Sequence, residues 1–529
     1  GTNSSIVAGD SNKVLDTTSS TIGGGGQNTL SGTTNSTIAG GSQSIILDAT
    51  DAVIAGGKKN TIKGPISRFS FIGGGNVNII DNSYQSLVGT GDFNTIKNAT
   101  GSTIVGGQSG FISASSYSFI GTGQRNIIDN SNTAFIGTGL NNNITGNSTY
   151  SAILAGTLNV ISGSSRATIL AGGGGVGNII QDSLQGLIGT ASAAQVKDSD
   201  WGAIIGGQDE LVIAESHYST IVNGQGGHIS GSVYSTIING GQHRIYSPYS
   251  LIGNGLSNII HVDSRYGNIL NGSGNTVYND TSASTISNGY SNFISGSSES
   301  LIGNGTFNRI KTADGEYANA ILLGERNFID IGQRYNTIIN GITGKISGGT
   351  NNFVGSGNDN QIISQNYSFI GSGQKNIIVP NRHAAYTADY NIIGGGAINT
   401  ISGAQRSTIV GGNQHLIMSS DFSFIGGGMS NKLDPRTMYS VIAGGFQNSQ
   451  LTPGGGILNG TAGFIGGGQY NIISGIGVSV IVGGAMNKSL NNSATFIGGG
   501  SGNTISSTSN YSSIVGGLTN MIFGTTKSI

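Results

Sequence analysis

The sequence predicts an all-β protein: a parallel β-solenoid (a β-roll) of about 31 coils, with a period of about 16 residues and two short strands per coil. Three observations predict it. A short unit recurs from one end of the chain to the other, which is the signature of one structural turn per repeat. Runs rich in β-branched residues alternate with Gly, Asn and Ser. Aliphatic residues recur at two fixed places in each unit, so apolar surface can be buried in register.

The period is read from one marker, here called p. It falls at Ile6, Ile22, Ile38, Ile54, Ile72, Val88, Ile104, Ile120 and Ile136, and continues through Ile204, Ile302, Ile409 and Ile497 to Ile514. The first strand surrounds p. Gly follows at p+3 and turns the chain. The second strand centres on p+8, as at Ile62, Ile80, Ile96, Ile112, Ile128 and Ile144. A polar turn then closes the coil. Helix is implausible at this Gly density, because each Gly costs about 1 kcal/mol relative to Ala. Collagen is excluded, since Gly does not recur at every third residue. Coils stacked at about 4.8 Å would make a rod roughly 150 Å long. In such a stack p and p+8 form two facing aliphatic ladders.

Position p+6 is usually Asn: Asn60, Asn78, Asn94, Asn126, Asn376, Asn431, Asn471 and Asn503 are examples. Asn tolerates left-handed backbone and suits a tight turn. Stacked Asn amides can also bond from coil to coil.

Composition narrows the function. Gly makes up 94 of 529 residues, well over twice the usual share of about 7%. Charged residues are 9% and the net charge is −1, which leaves no electrostatic footprint for nucleic acid or an anionic membrane. Regular aliphatic positions argue against disorder. With no Cys there is no disulfide framework or thiolate metal site. No apolar run reaches the length of a membrane span. The first residue is Gly and no signal peptide is visible, so the chain is expected to be processed or part of something longer. The pattern runs from residue 5 to residue 522 as one continuous solenoid with no atypical capping coil. That predicts either continuation of the rod or end-to-end stacking into a filament.

The residues flanking p follow a size rule. A large residue at p−1 is matched by Gly at p+1: Phe71 with Gly73, Leu87 with Gly89, Phe119 with Gly121, Phe135 with Gly137, Leu251 with Gly253 and Leu301 with Gly303. Phe369 with Gly371, Phe424 with Gly426, Phe464 with Gly466 and Phe496 with Gly498 extend it. A small or β-branched p−1 is matched by an aliphatic p+1, as in Thr103 with Val105 and Ala152 with Leu154. In a strand these positions point away from the core that p enters. Volume matching implies close packing. This second face is therefore expected to be covered by another copy of the chain, in a parallel homo-oligomer, with a trimer or dimer favoured by closed symmetry.

Segments such as Tyr439-Ser440-Val441-Ile442-Ala443-Gly444 and Val478-Ser479-Val480-Ile481-Val482-Gly483 give the repeat a Ser-x-Ile-x-Gly core. Gly-rich repeats of this kind resemble the head of trimeric autotransporter adhesins and are similar to repeats in phage fibres. The resemblance implies a homotrimer of parallel β-rolls, a cell-surface or virion location, and adhesion to a host-surface glycan or protein. No coiled-coil stalk or membrane anchor accompanies it in this sequence.

Longer turns interrupt the period near 63–65, 172–177, 311–319, 380–390 and 451–461. Insertions in solenoids map to surface loops and often to binding faces. The third adds an acidic loop with Asp314 and Glu316. The fourth supplies the best candidate binding loop, with Arg382, His383, Tyr386, Asp389 and Tyr390.

Catalytic and cofactor signals are thin, and neither cofactor nor metal is expected. His228 and His243 lie one coil apart without a third ligand at suitable spacing. The Gly runs lack the Lys-Ser/Thr of a phosphate loop and the regular Asp of calcium-binding repeats. Asp209-Glu210 and Asp314/Glu316 are the available carboxylates for glycoside hydrolysis, which needs a pair across the bond. The expected function is thus a structural extracellular fibre or adhesin shaft without catalysis. The alternatives are a polysaccharide-binding or polysaccharide-degrading spike and an ice- or surface-binding solenoid. A Thr ladder for ice is broken repeatedly by Phe and Leu at p−1.

Overall fold

Two-residue strands cannot hold themselves together, and this chain solves the problem by stacking them. The computed structural model describes the chain except residues 173–174, 331–333, 381–388, 453–461, 476, 507–508 and 525–529, and except the side chains of 313–316. It contains two compact units, Gly1–Ile259 and Ile260–Ile529. Each is a parallel β-solenoid, with no helix among the described residues. In the first unit Thr21–Ile22 and Thr29–Ser31 are the two strands of one coil. In the second, Thr408–Ile409 and Leu416–Met418 are an equivalent pair.

Within each unit the strands pair in parallel with their equivalents one coil on. Ile22 lies opposite Ile38, and Ile80 opposite Ile96. Single-residue parallel bridges, such as Asp10 to Gly26 and Thr18 to Thr34, carry the ladder along the other two sides of the coil. Two strands therefore bond most coils to the next, with a bridge on the p+4 side in most of them and a second bridge on the p−4 side in coils up to Thr100.

Four left-handed corners separate these stretches. At p+3 the corner is Gly, with φ of 91° at Gly25 and 89° at Gly75. A Cβ there would run into the carbonyl of the equivalent Gly one coil on, so the close stacking of backbones demands Gly as much as φ does. The other corners carry side chains: Gln27 at φ 60°, Asp48 at 54° and Asn35 at 49°.

Ile22, Ile38, Ile72 and Ile104 at p, and Leu30, Ile46, Ile80 and Ile96 at p+8, are fully buried. The two facing aliphatic ladders expected from the period are present. Each such residue contributes about 1.5–3 kcal/mol on burial, and each coil shares its interior only with its neighbours. Two further inward positions hold Ser. Ser102 Oγ donates to the carbonyl of Ser115 at 2.8 Å and accepts the N–H of Ser118 at 3.2 Å. These bonds satisfy backbone groups that the corners turn away from the sheets.

The Asn at p+6 is also inward, which corrects its expected place in the turn. The left-handed residue is the one before it: Lys59, Val77 and Arg125 hold φ of 57°, 58° and 55°. Asn60, Asn78, Asn94 and Asn126 behind them are buried. Asn78 donates from Nδ2 to the carbonyls of Gly74 at 2.9 Å and Gly91 at 2.7 Å, while its Oδ1 accepts the N–H of Asn94 at 3.0 Å. Each amide thus closes its own corner and bonds to the next coil. Asn376, Asn431, Asn471 and Asn503 do the same in the second unit.

The insertion at 311–319 differs from the expected loop. Its backbone continues one strand, Arg309–Tyr317, which pairs with Phe293–Ser298 through a register shift between Ser295 and Ser297. The extra residues are taken up as a bulge. Residues 63–65 do form a longer turn, with Gly64 at φ 99°.

Candidate interaction surfaces

The backbone is nearly the same in coil after coil, so side chains at one repeat position form a row. Three outward rows and one inward row carry the chemistry.

The first row is the p−1/p+1 face. Phe71, Phe135, Phe369, Phe424, Phe464 and Phe496 are each 36–39% exposed, and Leu87, Phe119, Leu251 and Leu301 are half-buried. For the Phe members the size rule has a cause inside one coil. Each ring folds over the Gly two residues on: a Cβ on Gly73 would stand 3.3 Å from Cε1 of Phe71, and one on Gly426 would stand 3.2 Å from Cε1 of Phe424. Where successive coils both carry Phe, the rings stack, with centroids 5.3 Å apart for Phe119 and Phe135.

The second row lies at p−3 and escaped the sequence reading. Tyr117, Tyr150, Trp201, Tyr218, Tyr234 and Tyr249 occupy it in the first unit, all exposed. All are left-handed, with φ between 54° and 59°, where bulky residues are uncommon. Trp201, Tyr218, Tyr234 and Tyr249 stack in sequence at 5.9, 4.8 and 5.4 Å. The signal was an aromatic three residues before the marker, legible once p−3 is known to be an outward corner.

The third row, at p+7 and p+9, mixes rings with cations. Tyr278, Phe293, Arg309 and Lys311 line a shallow cleft in the second unit. The Arg309 guanidinium lies 5.8 Å from the Phe293 ring centroid, within range of a cation–π contact.

The candidate binding loop falls mostly outside the described residues, which excludes Arg382, His383 and Tyr386. Asp389 and Tyr390 are described. Asp389 Oδ2 accepts the N–H of Asn366 at 2.8 Å, and burial raises its carboxyl above the usual range despite that bond. Tyr390 stacks on Tyr367 at 4.8 Å, which makes it part of the p−3 row.

Inside the coils, Asn gives way to titratable residues at three places. His243 and His415 occupy p+6 and are buried. Nδ1 of His415 accepts the N–H of Asn431 at 3.1 Å, as an Asn Oδ1 would. Burial holds both imidazoles below their usual value, against the pull of backbone bonds. His228 points outward instead and meets Tyr246 edge-on at 5.6 Å. The structure therefore does not bring His228 and His243 together. Glu210 is the third substitute. It is fully buried while its neighbour Asp209 is exposed, so the two do not form a carboxylate pair over a groove. Asp314 and Glu316 have side chains outside the described set. Among the described residues no cluster of His, Asp or Glu has metal-binding geometry, and no helix is long and apolar enough to cross a membrane. No protein-family model and no curated protein matches this chain.

Proposed function

We propose that this chain is the structural shaft of an extracellular or cell-surface fibre, whose work is mechanical and which performs no catalysis. The observation that carries this reading is the in-register bonding of coil to coil. Backbone ladders, buried aliphatic rows and buried Ser and Asn bonds all run in one direction, so a load along the stack is shared by every coil. Within each unit side chains at one repeat position are displayed as rows, a geometry suited to extended contact rather than to a single pocket.

The p−1/p+1 row supports lateral association of parallel copies, with three copies enclosing the row as the resemblance to adhesin heads implies. The size rule itself needs no partner, since each Phe covers its own Gly. What a partner would cover is the part of each ring still facing solvent, repeated along the chain. Adhesion to a glycan or protein surface would then fall to the outward rows left uncovered.

Native mass spectrometry and sedimentation of the purified chain test this reading. A discrete dimer or trimer is expected at micromolar concentration. A monomer that stays monomeric would remove lateral association. Electron micrographs of the same sample would show whether copies also join end to end.

A further inference from the structure

In the first unit the inward amide row breaks singly at Ser44 and Gly110, and then for four coils in succession: Ala194, Glu210, Gly227 and His243. Glu210 occupies that gap as an imperfect copy of Asn. Its Oε2 accepts the N–H of Gly227 at 2.7 Å, the bond an Asn Oδ1 makes to the next coil. Its Oε1 stands where the Asn Nδ2 stands. A Cβ on Gly207 would lie 2.8 Å from Oε1, and one on Gly25 would lie 2.9 Å from Nδ2 of Asn28. The longer acid fits because the next coil offers Gly227, where a Cβ would collide with Oε2.

An amide at this point donates two hydrogens to carbonyl oxygens. A carboxylate has none to give. Oε1 is buried without a hydrogen-bond partner, and the carbonyl of Gly224 is the counterpart of the Gly41 carbonyl to which Asn28 donates: the Gly207 Cβ position is 2.7 Å from that oxygen and 2.8 Å from Oε1. An ionised Oε1 would set negative charge against a carbonyl oxygen away from water, which is costly. A proton on Oε1 turns the same contact into a donor facing an acceptor.

We propose that Glu210 is a proton-operated joint: the protonated carboxyl closes the coil by standing in for the missing amide, and its ionisation loosens the coils around it while the remainder of the unit stays folded. Burial drives its carboxyl up to about 7; the Gly227 N–H opposes the rise and Asp209 adds to it. The neighbouring charged or titratable groups are Lys197, Asp198 and Asp200 on the coil before, Asp209, Glu215 and His217 on its own coil, and His228 on the coil after. Of these, Asp209 is the one whose charge acts on Glu210. Because the folded value lies above the unfolded one, the stabilisation is complete below about 4.5, falls as pH rises from there, and is gone once pH has passed about 7. Trp201 and Tyr218 stack at the corners flanking this coil, and Trp201 is the sole Trp in the sequence, so it reports on the joint.

The test compares the full chain with Glu210→Gln, which keeps a neutral donor at Oε1's position. Hydrogen exchange of peptides from 203–234, corrected for intrinsic rates, is measured from pH 5.5 to 9 alongside Trp201 fluorescence. In the wild type the local opening equilibrium is expected to rise about tenfold per pH unit up to about 7, where opening releases one proton, and to level off above it, where the carboxyl is ionised both closed and open. It should stay flat in the variant, and peptides around Asn78 should stay flat in both. Equal pH dependence in wild type and variant would overturn the proposal. So would opening that follows sodium concentration at fixed pH, which would mean a bound cation in place of the proton. If the variant fails to fold, infrared spectra of the wild type decide: the carbonyl band of a buried protonated carboxyl must be present at pH 6 and vanish by pH 8.5.

Discussion

The ring of Phe369 lies over Gly371: a Cβ on that Gly would stand 3.1 Å from Cε1 of Phe369. Side chain and vacancy belong to the same coil, so the pairing of Phe at p−1 with Gly at p+1 has a local packing cause. Gly371→Val should destabilise its coil, because the ring must lift off and the carbonyl of Gly394 also crowds the site. Adding Phe369→Thr recreates the Thr103/Val105 pattern and should recover part of the loss. Contacting residues couple by about 0.5–3 kcal/mol. Hydrogen exchange across 369–394 measures it, and strictly additive losses would refute the pairing.

Asn78 tests the inward row. Asn78→Ala strands the Gly74 carbonyl and the Asn94 N–H, and each unsatisfied buried group costs about 1–3 kcal/mol. Asn78→Asp keeps the acceptor for Asn94 but offers no hydrogen to Gly74 or Gly91. At neutral pH the Asp variant should be the less stable of the two, since it buries a charge. As pH falls its carboxyl gains the missing donor, and the order should reverse. Denaturant midpoints at pH 4 and pH 8 check this; an order that does not change with pH would count against the donor role of Nδ2.

The period made the two aliphatic ladders legible, because burial of Ile22 and Leu30 follows from spacing alone. The role of Asn78 was only half legible. A residue between Gly and a strand reads as a turn, and nothing in one dimension tells that Val77 takes the left-handed corner while Asn78 swings inward. The aromatic corner was missed for a related reason: Tyr218 and Tyr234 sit where turn chemistry calls for Gly or Asn. In sequence Glu210 reads, beside Asp209, only as a carboxylate available to a pair assembled from separate coils. Its burial follows from standing at p+6, a position whose inward direction only the stacked coils reveal.

His415 substitutes for Asn with the opposite charge logic from Glu210. Burial lowers its imidazole below the usual 6.5, so the folded coil prefers it neutral. Its contribution is complete above 6.5 and is lost as pH falls from there toward the lowered folded value. His415→Asn should match the wild type at pH 8 and unfold at a higher temperature at pH 5. Melting curves across that range check it. Parallel pH dependence in the two proteins would mean that His415 is reached by water and titrates freely.

Tyr234 weighs strain against stacking. It lies between Tyr218 at 4.8 Å and Tyr249 at 5.4 Å, and each such pair is worth about 0.5–1.5 kcal/mol. Against this, a left-handed residue with a Cβ carries about 1–2 kcal/mol of strain at φ 55°. Tyr234→Ala loses the stacking and keeps the strain, so it should cost about 1–3 kcal/mol. Tyr234→Gly loses both and should fall within about 1 kcal/mol of the wild type. Repeat arrays can open in parts, so the comparison is made by local exchange over residues 219–250 rather than by a global midpoint. If Gly proves as stable as Tyr, the row gains nothing for the fold. Its rings would then be kept in an unfavourable backbone region for what they present outward, and the same variant should weaken binding to any surface that the row contacts. If Gly proves as costly as Ala, the stacked rings are holding the corner, and the row is structural.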